Sequence, residues 1–106
     1  MSYLETVIAH GNMRQPGSVA HKRIVCADGF SMSVIAGGGA YSSPRFDLGP
    51  YTHVEVGFPS ERPEPWDDMW KGYLDAGSPG PTDSVYPWVP IDDVRALVAS
   101  HGGERS

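Results

Sequence analysis

Alternating apolar and polar residues mark two segments of the sequence, residues 30–36 and residues 51–58. A period of two predicts β-strands that have one buried and one exposed face. In the second segment, the face predicted to meet the core carries Thr52, Val54, Val56 and Phe58, and the opposite face carries Tyr51, His53, Glu55 and Gly57. We expect these two strands to form a scaffold and the loop between them to contact a partner.

A β-hairpin is predicted where residues 22–27 and 30–36 flank Asp28 and Gly29. Asp-Gly between two apolar runs favours a type I′ turn, because both central residues of that turn have positive φ.

Two helices and one further strand are predicted downstream. Large apolar side chains recur at helical spacing over residues 65–75, and again after Pro90 in a helix that Gly102 ends. Residues 85–89 form a short strand, and Pro87 within it favours the edge of the sheet.

Residues 2–10 fit a strand or a short helix, with a preference for the strand. Residues 103–106 are predicted to fray.

These elements predict a single α+β domain over residues 1–106, in which residues 1–21 form an N-terminal extension. Strands joined by hairpins, with helices gathered later in the chain, are typical of this class. We expect a small antiparallel sheet of three to five strands with two short helices packed on one face.

The composition indicates a lean core. Hydrophobic residues make up 40% of the 106 residues, and 13 glycines and 10 prolines make the chain rich in loops. Folding must order much irregular backbone against limited apolar burial, so we predict a homo-oligomer. The expected interface is the aromatic stripe of Trp66, Trp70 and Tyr73.

The charge is −5 overall, and it is uneven: residues 1–50 carry 4 basic and 3 acidic groups, and residues 51–106 carry 4 basic and 10 acidic groups. Such a chain is a poor partner for duplex nucleic acid, although one or two arginines can still hold a small anion. The single cysteine, Cys26, excludes an intramolecular disulfide and is predicted to be buried. No signal-peptide pattern or apolar stretch of transmembrane length is present, so we expect no membrane partner and a cytoplasmic location.

The sequence contains no catalytic signature. His53 and Glu55 form a His-x-Glu on one strand face, but zinc deaminases also need a later Pro-Cys-x-x-Cys, and the histidines lack metal-ligand spacing. The three glycines at 37–39 are interpreted as a connector and not as an anion-binding nest, because no P-loop pattern follows them. We predict no catalytic residue, no metal and no cofactor.

The loop after these glycines concentrates groups suited to an anionic ligand. Arginine forks bind phosphate or carboxylate, and tyrosine rings stack on bases. The predicted ligand-binding residues are Tyr41, Ser42, Ser43 and Arg45 of the loop and Tyr51, His53 and Glu55 of the adjacent strand face. The alternative is that Arg45 is an ordinary surface residue or pairs internally with Asp47.

Five motifs within residues 24–103 carry a resemblance: GFSMSV (29–34), SPR (43–45), GPYTHVEVGFPS (49–60), VYPWVP (85–90) and HGG (101–103). With these motifs the chain resembles a set of small proteins, with no assigned family activity, that are encoded by tailed bacteriophages and prophages. The resemblance implies a phage accessory protein acting in the bacterial cytoplasm, where such proteins are often counter-defence factors. It transfers no functional residue.

Three functions are considered. The first is a non-enzymatic, counter-defence-like protein that sequesters a small anionic ligand such as a signalling nucleotide. The second is an acidic inhibitor that binds a host defence protein. The third is a small enzyme that uses His53 and Glu55.

Overall fold

The structure is a computed structural model that describes residues 2–13 and 22–105. Four antiparallel strands form one sheet, and their order across the sheet is their order along the chain. The elements in chain order are α1 (Tyr3–His10), β1 (Ile24–Val25), β2 (Ser31–Ile35), β3 (His53–Gly57), a 3-10 helix (Trp70–Tyr73), β4 (Val85–Pro90) and α2 (Ile91–Ser100). The predicted α+β fold with one antiparallel sheet and two short helices is confirmed. No helix in the described ranges is long and apolar enough to cross a bilayer.

One face of the sheet and both α-helices enclose a single hydrophobic core. Alternate residues of β2 and β3 point into it, which is what the period-two pattern predicts. The sheet contributes Ile24, Met32, Val34, Val54, Val56, Tyr86 and Val89, and the helices contribute Leu4, Val7, Ile8, Val94, Leu97 and Val98. Cys26 is buried as expected, and burial raises the pKa of its thiol. The opposite face of the sheet is only half-buried, and it carries the candidate site.

The predicted hairpin exists, but its turn differs from the prediction. The N–H of Cys26 donates to Phe30 O at 2.8 Å and the N–H of Gly29 donates to Cys26 O at 3.0 Å, which closes a loop of three residues. Of these three, only Gly29 has positive φ, at 96°. A type I′ turn requires positive φ at both central residues, so that prediction is wrong. Asp28 instead orders the loop by accepting the Phe30 N–H at 2.9 Å.

The N-terminal segment is a helix, so the preference for a strand over residues 2–10 is wrong. Ser2 caps α1, because its Oγ accepts the N–H of Glu5 at 3.1 Å. Leu4, Val7 and Ile8 then lie on one helical face and are buried in the core. Of the predicted extension over residues 1–21, residues 2–13 are described and belong to the core structure, whereas Met1 and residues 14–21 lie outside the described residues.

The C-terminal tail also departs from its prediction. The N–H of Ala27 donates to Gly103 O at 2.9 Å, and the N–H of Arg105 donates to Val25 O at 2.7 Å, so the tail pairs with the outer edge of β1. An exposed edge offers unpaired backbone groups, which the tail satisfies. The prediction that the tail frays is therefore wrong for residues 103–105, and Ser106 lies outside the described residues.

The aromatic segment predicted as a helix over residues 65–75 is helical only over Trp70–Tyr73, as one short 3-10 helix. Trp70 is completely buried and packs edge-on against Tyr86, with ring centroids 5.6 Å apart. The Tyr73 hydroxyl donates to the Asp93 carboxylate, and this hydrogen bond is the largest of the causes that raise the pKa of Tyr73 to about 12. Trp66 is half-buried and packs against the same core.

Of the predicted interface residues Trp66, Trp70 and Tyr73, the ring of Trp70 belongs to the protein's own core. The other two side chains are half-buried, so the three do not form an exposed aromatic stripe. The prediction for β4 is confirmed: this strand lies at the edge of the sheet, where the missing N–H groups of Pro87 and Pro90 are tolerated.

Candidate functional site

The loop between β2 and β3 crosses the half-buried face of the sheet. Ser43 pairs with His53 on the side of β3 that faces β2, with its N–H 3.0 Å from His53 O. Tyr41 reaches β4 on the other side, because its carbonyl oxygen accepts the Trp88 N–H at 3.0 Å. The chain between these two residues therefore passes over β3, and it brings Tyr41 next to β4.

A bulge in β4 exposes Trp88. Val54 pairs with Val89 and Val56 with Tyr86, so Glu55 alone opposes both residues 87 and 88 of β4. Trp88 has φ of 50°, in the left-handed region, which costs a residue other than glycine about 1–3 kcal/mol. Its side chain is 47% exposed. Such strain persists only where the surrounding structure enforces it, and it is concentrated at functional sites.

Tyr41 packs beside this tryptophan, and Arg45 packs beside Tyr41. The rings of Tyr41 and Trp88 have centroids 4.9 Å apart at an angle of 46°, and Tyr41 is 40% exposed. The guanidinium carbon of Arg45 lies 5.2 Å from the Tyr41 ring centroid, within the range of a cation–π contact. Glu55 fixes the loop, because its Oε1 accepts the Tyr41 N–H at 3.0 Å. We name Tyr41, Arg45, Glu55 and Trp88 the aromatic cluster.

The alternative in which Arg45 pairs with Asp47 is not what the structure shows. Asp47 Oδ1 accepts the N–H of Gly38 at 2.9 Å. Among residues 2–13 and 22–105, Arg45 forms no ion pair with any carboxylate. Its positive charge is exposed on the surface of the loop.

Two of the predicted ligand-binding residues, Ser42 and Tyr51, are buried. Ser42 Oγ accepts the Gly37 N–H at 3.1 Å and lies 3.1 Å from Pro44 O, which uses the hydroxyl within the loop. The Tyr51 hydroxyl donates to Phe46 O at 2.5 Å, and its ring lies in the core. Tyr51 was expected on the polar face by alternation, but it precedes the first residue of β3, where the period of two no longer applies.

The three glycines do not present a vacant anion nest. The N–H of Gly37 donates to Ser42 and the N–H of Gly38 donates to Asp47, both within the loop. A backbone nest needs successive N–H groups directed at the ligand. The interpretation of residues 37–39 as a connector therefore fits their hydrogen bonds.

His53 and Glu55 lie on the same strand face, as predicted, but no hydrogen bond joins them. His53 Nδ1 lies 2.9 Å from Thr52 Oγ1, and Glu55 binds the backbone of Tyr41. Ser43 contributes its backbone to the bridge with His53. No group of three or more His, Cys, Asp or Glu side chains in the described residues could hold a metal ion.

A shallow pocket of about 290 Å³ lies elsewhere, between α1, α2 and the C-terminal tail. Its charged groups are already paired. Arg95 contacts Glu5 at 2.8 Å, and this contact lowers the pKa of Glu5 and raises that of Arg95. Glu104 accepts the N–H groups of Tyr3 and Leu4. The pocket therefore offers little unsatisfied polar chemistry to a ligand.

Trp88 is the cluster residue that sequence reasoning missed. The signal that points to it is Pro87, which interrupts a strand and is compatible with a bulge. Comparisons of the chain with protein-family models, with curated proteins and with solved structures found no match.

Proposed function

We propose that this is a non-enzymatic binding protein that recognises a partner protein through the aromatic cluster. The observation that carries the proposal is Trp88, held half-exposed in a strained backbone conformation against Tyr41. Tryptophan, tyrosine and arginine are the residues most enriched at the energetic centres of protein interfaces. A fold that needed only stability would favour glycine at φ of 50°.

The same geometry favours a protein over a small anion. Recognition of a phosphate needs several convergent donors. In this loop the Ser42 hydroxyl and the N–H groups of Gly37 and Gly38 are used internally, and Tyr51 is buried. Tyr41 and Arg45 are the exposed members of the predicted ligand-binding set, and of these two only Arg45 carries a positive charge.

Sequestration of a small anionic ligand, such as a signalling nucleotide, is the second candidate. The observation that favours it is the position of Arg45, which has no carboxylate partner in the described residues and lies beside the exposed ring of Tyr41, which can stack on a base. The enzyme hypothesis has no comparable support, because Glu55 contacts Tyr41 and not His53.

The resemblance to phage and prophage proteins supports one biological context for both candidate functions. In that setting the protein is a phage accessory protein that acts in the host cytoplasm, and its partner is a host defence protein. The recognition surface proposed here is aromatic and carries Arg45, although Glu55 and Trp88 belong to the acidic half of the chain, residues 51–106.

Affinity capture from bacterial lysate with matched variants tests the proposal. Trp88→Ala removes the exposed ring, whereas Lys71→Ala removes one exposed charge that makes no side-chain hydrogen bond or ion pair within the described residues. The protein captured by wild type is then purified, and its affinity is measured by calorimetry. We expect Trp88→Ala to weaken binding by about 30-fold or more, the loss for a residue worth at least ~2 kcal/mol, and Lys71→Ala to leave it unchanged.

Native mass spectrometry with bacterial nucleotide extracts distinguishes the second candidate. A bound nucleotide that is released intact, and that is lost in Arg45→Ala, would establish sequestration in place of protein binding. Equal affinity of the purified partner for wild type and Trp88→Ala would reject the aromatic cluster as the recognition surface.

A further inference from the structure

The most exposed large apolar side chains in the described residues lie on one short stretch of the loop, residues 45–48. Phe46 is 68% exposed and Leu48 is 69% exposed. Both exceed the exposure of Tyr41 and Trp88 in the aromatic cluster. Single exposed apolar residues are common on proteins, but two large ones in one loop segment indicate a surface that becomes covered.

The charges of this 45–48 segment alternate with its apolar residues, in the order Arg45, Phe46, Asp47, Leu48. Neither Arg45 nor Asp47 forms an ion pair within residues 2–13 and 22–105. Asp47 uses Oδ1 to accept the Gly38 N–H, so Oδ2 is available to a second donor. Arg45 lies over the Tyr41 ring, and a stacked guanidinium keeps its N–H groups at its rim.

This charge pattern is complementary to itself. In a two-fold contact between identical chains, residue i of one copy meets residue j of the other, and residue j meets residue i. When the two-fold axis passes through Phe46, the residue before Phe46 in one copy meets the residue after Phe46 in the other copy. Arg45 of each copy then faces Asp47 of the other, and the two phenylalanine rings meet at the axis.

We infer that the 45–48 segment is a contact between two copies of this chain, related by a two-fold axis at Phe46. The contact covers Phe46 and gives both unpaired charges an opposite partner. It goes beyond the proposed function, because Trp88 is not part of it, and it shares only Arg45 with the aromatic cluster. It also engages Arg45, and the small-anion candidate then loses the exposed cation on which it depends.

The expected dimer is weak and sensitive to salt. Stable interfaces bury about 1,200–2,000 Å² in total, and a four-residue segment supplies only part of that area. Each exposed ion pair contributes little to affinity and is screened by salt. Dimerisation should therefore depend on protein concentration and weaken as salt is added.

Sedimentation equilibrium of charge-reversal variants over a concentration series tests the inference. Arg45→Asp and Asp47→Arg should each shift wild-type dimer to monomer, because each places like charges in both cross-contacts. An equimolar mixture of the two variants should restore a dimer, since both cross-contacts then join opposite charges. Lys71→Asp, a reversal at an exposed site outside the segment, should dimerise as wild type does.

Thermal denaturation of each variant checks that the loop change leaves the fold intact. Should either reversal fail to fold, Phe46→Ser with Leu48→Ser provides a neutral variant that should also be monomeric. A wild-type protein that is monomeric throughout the series, or two folded reversal variants whose mixture stays monomeric, would overturn the inference. Dimerisation of the Phe46→Ser, Leu48→Ser variant at wild-type concentrations would do the same.

Discussion

Removing the Glu104 carboxylate should destabilise the fold from its C-terminal end. Glu104 accepts the N–H groups of Tyr3 at 3.1 Å and Leu4 at 3.0 Å, at the N-terminus of α1, while its backbone lies at the edge of β1 beside Cys26. One side chain therefore connects the tail, the first helix and the sheet. We take Glu104→Ala as the perturbation and Glu104→Gln as the variant that keeps an oxygen acceptor without the charge.

The magnitude follows from the two hydrogen bonds. Loss of a helix N-terminal cap costs about 0.5–2 kcal/mol, and a negative charge near the helix N-terminus contributes about 0.3–1 kcal/mol more. Ser2 still caps the Glu5 N–H, so the loss is partial. We expect Glu104→Ala to lower the free energy of unfolding by about 1–2.5 kcal/mol, and Glu104→Gln to lower it by about half as much.

Urea denaturation followed by circular dichroism measures this difference. Asp68→Ala is the matched control, because Asp68 is exposed and its side chain forms no ion pair in the described residues. Surface substitutions of that kind usually change stability by less than about 0.5 kcal/mol. If Glu104→Ala and Asp68→Ala lose the same stability within error, the tail does not hold α1 and this reasoning fails.

Three further predictions concern the turn, a close contact and pH. Gly29→Val should cost about 1–3 kcal/mol in urea denaturation because its φ is 96°, and an unchanged midpoint would contradict this. Gly49→Ala should lower the melting temperature sharply, because its Cβ would lie 2.2 Å from a backbone oxygen of α1; a wild-type melting temperature would refute this contact. The pKa of Asp28 is lowered first by the Phe30 N–H and then by His101, so its stabilisation is present above the ordinary aspartate range and is lost as pH falls through its folded pKa. Asp28→Asn should therefore lose less stability than wild type as the pH is lowered. Identical pH profiles of stability for the two proteins would contradict this prediction.

The alternation of residues 51–58 predicted β3 correctly and failed at its ends. Val54 and Val56 are buried, as the period of two requires. Tyr51 precedes the strand and is buried, and Phe58 follows it with φ of 49° and is exposed. A period applies only while the backbone remains extended, so a sequence pattern places a strand better than it places the residues at its boundaries.

Contacts between distant parts of the chain were outside the reach of local patterns. Glu104 and Tyr3 are 101 positions apart, and no periodicity relates them. The exposure of Trp88 depends on the bulge in β4, which exists only once β3 and β4 are paired. The sequence therefore singled out Tyr41, Arg45 and Glu55 of the aromatic cluster and missed Trp88.

The central claim is that Trp88 serves recognition and not folding, and the free energy of unfolding of Trp88→Gly tests it most directly. Glycine relieves about 1–3 kcal/mol of left-handed strain, which offsets the packing lost with a half-exposed ring. Trp70→Ala, a deletion in the core, should cost about 3–5 kcal/mol in the same urea titration. The account predicts that Trp88→Gly stays within about 2 kcal/mol of wild type, since strain relief compensates most of the lost contact. A loss as large as that of Trp70→Ala would show that Trp88 is a structural residue and would contradict the account.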